Sequence, residues 1–167
     1  MAEATRNFRI RHTLAPGDLG MIVHLHGLVY AREYCLDTTF EPYVAKPLAD
    51  FVLAGNGRLW IAEETGARIV GSIAVVDAGD GAGQLRWFLL VPEARGTGLG
   101  RRLLEEALAY CRERGMADVY LWTFADLADA VRLYERAGFR TSEQRSGLIW
   151  GAQRTEVRMD LRLAAGG

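Results

Sequence analysis

Apolar and polar positions change period along the chain, and each change predicts an element. Phe8, Ile10 and His12 alternate with Arg9 and Arg11, the period of a short first strand. Pro16 and Gly17 break it, and Asp18 is placed to cap a helix. Leu19, Ile22, Val23, His26, Val29 and Tyr30 then recur at helical spacing to about Tyr34. A second helix is predicted from Phe40 to Ala54, beginning near Pro42 and closed by Gly55-Asn56-Gly57. Strands are predicted at Leu59 to Glu63, Ile69 to Val76 and Gln84 to Val91, the last stopped by Pro92. Between the second and third of these, Asp77 to Gly83 reads as a flexible connection.

The second half alternates strand and helix. Leu99, Leu103, Leu104, Ala107, Leu108 and Cys111 form the buried stripe of a long helix that ends near Gly115. Val119 to Thr123 is a strand. Leu127, Ala130, Val131, Tyr134 and Ala137 are the stripe of another helix, with Asp126 as its cap and Gly138 as its end. Two strands follow, about Arg140 to Ser146 and Gln153 to Leu163. The order β-α-α-β-β-β-α-β-α-β-β implies an α/β (α+β) layer, a central mixed twisted sheet of about seven strands with helices on both faces. No repeat or low-complexity linker divides residues 1–167, so one domain is expected.

Composition narrows the function classes. Twenty basic residues face twenty-one acidic ones, a net charge of -1. That balance carries no signature of a nucleic acid or anionic membrane partner. No apolar run approaches the ~18 residues of a membrane span, and Met1 to Arg11 has no apolar stretch of leader length, so a cytoplasmic protein is expected. Cys35 and Cys111 make neither a disulfide framework nor a metal site, and no metal is expected. All the basic residues but Lys46 are arginine, which with the abundant Gly and Ala reads as coding bias. Each arginine is therefore argued from its position.

The chemistry-bearing segment runs from Leu85 to Leu104. A strand ends at Pro92, a loop with Gly96, Gly98 and Gly100 follows, and a helix starts at once. Successive N–H groups there point into one concavity at the positive end of a helix, a site for a diphosphate. Glycines let the oxygens approach the backbone. A P-loop is excluded because no Gly-Lys-Ser/Thr follows at the required spacing. A dinucleotide fingerprint is excluded because its third glycine would fall at Arg101. A glycine-rich turn without a ligand is the plainer alternative.

Arg95-Gly96-Thr97-Gly98-Leu99-Gly100, after Pro92 and before Leu103-Leu104, resembles the (Gln/Arg)-x-x-Gly-x-(Gly/Ala) motif of the GNAT superfamily of acyl-CoA-dependent N-acetyltransferases. Ala130-x-x-Leu133-Tyr134-Glu135-x-x-Gly138-Phe139 is similar to that family's second signature. Element order and motif positions extend the resemblance over nearly the whole chain. Val23-His24-Leu25-His26-Gly27 with Tyr30, Glu33 and Tyr34 is further similar to GNAT domains fused behind MarR-type regulators. Too few residues precede the first strand for a winged helix, so a stand-alone form is expected and DNA binding is not implied.

The resemblance implies an acetyltransferase that uses acetyl-CoA as cosubstrate and a primary amine as acceptor, by direct attack in a ternary complex. Its cofactor cleft would lie where Gln84–Val91 and Val119–Thr123 splay apart. Pantetheine would pair near Phe88, Leu89 and Leu90, and an N–H near Leu89 or Leu90 would hold the oxyanion. The diphosphate would rest on the amides of Arg95, Gly96, Thr97, Gly98, Leu99, Gly100 and Arg101. Tyr134 would protonate the leaving thiolate; packing on its own helix is the alternative. A homodimer is plausible by the same resemblance.

Two departures stand out. No carboxylate lies between Gln84 and Val91, where some relatives place a glutamate base, and Leu127 stands where relatives often carry Asn. The base candidates are then Glu33, His24, His26, Glu63 or a water chain. Tyr30 and Glu33, within one turn of each other, are candidate substrate contacts. Arg86, charged in a central strand, faces either an acidic group of the substrate or a structural carboxylate. Trp87, Trp122 and Trp150 are expected in strands as core or interface. The departures also keep open a second function, an acyl-CoA sensor or interaction module of little turnover.

Overall fold

The computed structural model describes residues 7–164. The first six and last three residues of the one-domain reading lie outside them. In chain order the elements are β1 (Phe8–Arg11), α1 (Asp18–Tyr34), α2 (Phe40–Ala54), β2 (Gly57–Glu64), β3 (Arg68–Gly79) and β4 (Ala82–Leu90). A 3-10 turn at Pro92–Ala94 leads to α3 (Leu99–Glu113), β5 (Asp118–Phe124), α4 (Ala128–Arg136), β6 (Arg140–Ile149) and β7 (Ala152–Arg162). The strands form one seven-stranded sheet in the order β1-β2-β3-β4-β5-β7-β6. β4 and β5 pair parallel; the other neighbours are antiparallel. The expected mixed sheet and element order are borne out.

Alternation along the strands builds a core on each face of the sheet. Trp60, Ala62, Val75, Leu85, Val119, Leu121, Val157 and Met159 pack with the α3 stripe, Leu99 to Cys111, and with Tyr134 and Phe139. Leu59, Ile61, Ala74 and Trp87 pack instead with Ile22 of α1 and Phe40, Val44, Leu48 and Phe51 of α2. Fully burying one such Leu, Ile or Val contributes ~1.5–3 kcal/mol. These faces fix the helices against the sheet. Among the described residues no helix is long and apolar enough to cross a membrane.

Several local expectations change. Asp77 to Gly83 is no flexible connection: β3 and β4 run into a tight hairpin, with Asp80 at φ 51° and Gly81 at φ 73°. Asp-Gly adopts the two left-handed positions that match strand twist. Trp150 lies in no strand; with Gly151 it turns β6 into β7 at φ 48° and 80°. Asp18 does not cap α1 but begins it, and its buried carboxylate holds the Arg11 guanidinium and accepts the Ala15 N–H. Asp126 does not cap α4, whose N-cap is Leu127; it pairs with Arg154 of β7 instead.

One irregularity shapes the centre. Ser72 faces Leu89 and Ala74 faces Arg86, so Ile73 alone opposes Trp87 and Phe88. This β-bulge puts Trp87 at φ 46°. The buried Ser72 hydroxyl holds it by donating to the Trp87 carbonyl at 2.7 Å. Across the bulge, Trp87 joins the α1–α2 core while Phe88 and Leu90 pack toward the α3 side.

Candidate active site

Parallel pairing between β4 and β5 extends only from Ala82–Asp118 to Gln84–Tyr120. Beyond that point the strands part, and the Tyr120 hydroxyl reaches Gln84 Oε1 at 3.4 Å where the gap begins. The gap opens into a cleft of about 1180 Å³, walled by Leu85 to Leu90 on one side and Leu121 to Phe124 on the other. α1 contributes His26, Tyr30 and Tyr34, α4 contributes Leu133 and Tyr134, and β7 contributes Glu156. The short reach of β5 pairing thus turns the middle of a sheet into a slot.

The glycine loop closes one end of the slot. Gly98 stands before α3 in a left-handed conformation, φ 82°, with no side-chain cap. Gly96 has φ 73°, and a Cβ on Gly96 or Gly98 would meet nothing within 4 Å. The Thr97 hydroxyl donates to the Ala94 carbonyl at 2.7 Å and bends the loop. The first α-helical bond runs from the Arg102 N–H to the Gly98 carbonyl, 3.1 Å. Among the described residues the N–H groups of Gly96, Gly98, Gly100 and Arg101 have no acceptor. Unpaired amides at the positive end of a helix, with open space above the glycines, suit an anion.

Arg95 ties this loop to α1. Its Nη1 holds both Glu33 oxygens, at 3.0 and 2.9 Å, and its Nε and Nη2 donate to the Leu90 carbonyl at 3.2 and 3.1 Å. Glu33 is therefore a bound carboxylate on a half-exposed arginine. Tyr30 lies on the wall, ringed by Tyr34 at 5.3 Å and Phe40 at 4.7 Å between centroids. Burial, and to a smaller extent Tyr34, pushes its hydroxyl up to about 12. His26 stacks on Tyr30 at 6.1 Å and places Nδ1 2.8 Å from the Ile22 carbonyl. That contact is made by an Nδ1–H donor, leaving Nε2 as the acceptor nitrogen. Burial holds the imidazole down to about 4, so it is neutral at pH 7.

Tyr134 is buried on α4 between Phe88 at 6.0 Å and Phe139 at 5.8 Å. Its hydroxyl has no hydrogen-bond partner among the described residues, and burial pushes it well above the usual phenol range. It stays protonated, a donor without an acceptor on the cleft wall.

The model of the Acetyltransferase (GNAT) family matches residues 27–139, more than half of the chain. The chain belongs to the GNAT acetyltransferase family. An N-acetyltransferase of Schizosaccharomyces pombe is 30% identical over 118 residues, covering 68% of this chain and 72% of that protein. An N-acetyltransferase of Rattus norvegicus is 35% identical over 136 residues, 74% of this chain but 61% of its own length. A GNAT-like fold with TM-score 0.75 and 21% identity covers 96% of both chains in a putative acetyltransferase of Salmonella typhimurium, solved with acetyl-CoA.

Set against the GNAT resemblance, most named residues meet in one cleft. Phe88, Leu89, Leu90, Arg95, Gly96, Gly98, Gly100, Arg101, Tyr30, Arg86 and Tyr134 all line it. Thr97 and Leu99 do not: the Thr97 hydroxyl is spent on the loop, and Leu99 is core. Glu33 stands behind Arg95 rather than on the wall. Arg86 lies on the wall with its guanidinium 4.5 Å from the Trp87 ring and no carboxylate within ion-pair distance among the described residues. Of the base candidates, Glu63 is paired with Arg11 and His24 is exposed and off the wall. Sequence reasoning missed Trp122 and Trp150 as wall residues and missed Glu156 altogether. Glu156 keeps the polar phase of the alternating last strand, as Arg158 and Asp160 do, so nothing in the pattern marks it as a cleft residue.

Proposed function

We propose that this GNAT protein transfers an acetyl group from acetyl-CoA to a primary amine by direct attack in a ternary complex. The slot between β4 and β5, ending on unpaired amides, is the observation that carries this reading. Acetyl-CoA fits it on three grounds: open space over Gly96 and Gly98, amides without acceptors, and a β4 edge free of β5 past Gln84. The unpaired amides of Gly96, Gly98, Gly100 and Arg101 hold the diphosphate, while those of Arg95 and Leu99 are taken by the Pro92 carbonyl and the Thr97 hydroxyl; Phe88, Leu89 and Leu90 align the pantetheine arm as an added strand. The N–H of Leu90, past the bulge, steadies the charge that develops on the acyl oxygen, because the antiparallel alternation set by the Val91 N–H on the Val70 carbonyl turns the Leu89 N–H to β3. Tyr134 donates its proton to the departing thiolate; a thiol pKa near ~8.5 makes that help modest. Tyr30 walls the acceptor side, Arg95 joins that wall to the diphosphate loop through Glu33, and Arg86 is available for an acidic group of the acceptor.

A panel of primary amines, scored by release of the CoA thiol, tests this reading. It should span small amines, amino sugars, polyamines and peptide N-termini. Turnover with one class supports it. Tight acetyl-CoA binding without thiol release from any class favours the sensor, for which the lack of a carboxylate on β4 is the motive.

A further inference from the structure

We propose that Glu156 of β7 receives the acceptor's ammonium group and takes the proton it must lose before attack; this rests on the transferase reading above. Four carboxylates line the cleft, and three of them hold an arginine. Glu105 pairs with Arg101, Asp126 with Arg154 and Asp129 with Arg132. Glu156 has no hydrogen bond or ion pair among the described residues. It is half-buried, opposite Phe124 of β5, and lines the same cleft as Arg86, Trp87 and Phe88 at the β4 bulge.

Of the charged groups around Glu156, the arginines of β6 and β7 are already paired with carboxylates, and Arg86 of β4 is not. Arg145, its register partner on β6, is held by Glu143 at 2.8 Å and lies 4.2 Å from the Trp122 ring. On its own strand Arg154 is spent on Asp126 and the Tyr34 carbonyl, and Arg158 on Asp160. Arg86 of β4 lies against Trp87. From α1, Tyr30, Tyr34 and His26 are neutral at pH 7, as is Tyr134 of α4. A cleft carboxylate with no hydrogen-bonded cation of its own, in register with Phe124, matches a primary ammonium. Burial raises its pKa, with Arg145 opposing, which improves it as a proton acceptor.

The step balances. Glu156 takes one proton from the ammonium. The freed nitrogen forms the C–N bond to the acyl carbon and the C–S bond breaks. The second nitrogen proton reaches the thiolate by way of Tyr134, and the proton on Glu156 returns to water.

The test compares wild type, Glu156→Gln and Glu156→Asp with the amine of the panel that releases thiol fastest. Glu156→Gln should lower kcat/KM on the order of 10²-fold at pH 7 while leaving the Kd for acetyl-CoA unchanged. Its rate should then follow the free amine, rising about tenfold per pH unit from pH 7 to 9, toward an amine pKa near ~10. Wild type should be nearly flat over that interval, and Glu156→Asp should recover part of the activity. A Glu156→Gln rate within twofold of wild type overturns the proposal, and so does a loss with an unchanged pH profile. No turnover by wild type with any amine defeats the transferase reading itself.

Discussion

Protonation of His26 should loosen the wall that α1 gives to the slot, and its cost follows from the structure. The ring is 4% exposed, stacked on Tyr30 and bonded only to the Ile22 carbonyl. Burial lowers its pKa from 6.5 to about 4. At ~1.36 kcal/mol per pKa unit the gap corresponds to roughly 3 kcal/mol. The sign is fixed by which state takes the proton first. Below pH 6.5 the unfolded chain protonates this histidine while the folded chain does not, so unfolding binds a proton. The stabilisation is complete above about 6.5 and is lost as pH falls through about 4. Urea unfolding followed by tryptophan fluorescence, on wild type and His26→Leu, measures it. The stability difference between them should close, or reverse in favour of the variant, by roughly 3 kcal/mol as pH falls across that window. Parallel stability curves for the two proteins would refute the buried, neutral histidine.

Tyr134→Phe removes a hydroxyl that bonds to no described residue, so thermal stability and the Kd for acetyl-CoA should hold while kcat falls on the order of 10²-fold; unchanged kcat leaves Tyr134 as packing alone. Ser72→Ala strips the donor from the Trp87 carbonyl at the bulge, and urea unfolding should show a loss of ~1–3 kcal/mol. A loss within ~0.5 kcal/mol, as at a plain surface position, would mean the bulge holds without it.

Element order and the anion loop were legible because they rest on local rules. The α3 stripe and the glycines at 96, 98 and 100 impose a helix start whatever lies around them. The slot was legible only through the family likeness, since pairing that stops at Gln84–Tyr120 leaves no mark in either strand's alternation. The Trp87 bulge was hidden for the same reason: Gly83 to Leu89 keeps a regular buried alternation on a sheet covered on both faces. Asp18 and Asp126 were misjudged because an N-cap pattern does not reveal a distant arginine, here Arg11 or Arg154, that takes the carboxylate first. Glu156 lies 32 residues beyond its register neighbour Phe124, and only the sheet brings it to the cleft.

Calorimetric titration of acetyl-CoA into wild type and Gly98→Glu tests the central claim most directly. Gly98 opens onto free space at φ 82°, where a glutamate would set both strain and negative charge against the diphosphate amides. The account predicts one site of micromolar affinity in the wild type and none in the variant, with the variant still folded. Equal binding by both proteins would place the cofactor elsewhere, and no binding by wild type would contradict an acetyl-CoA site at this loop.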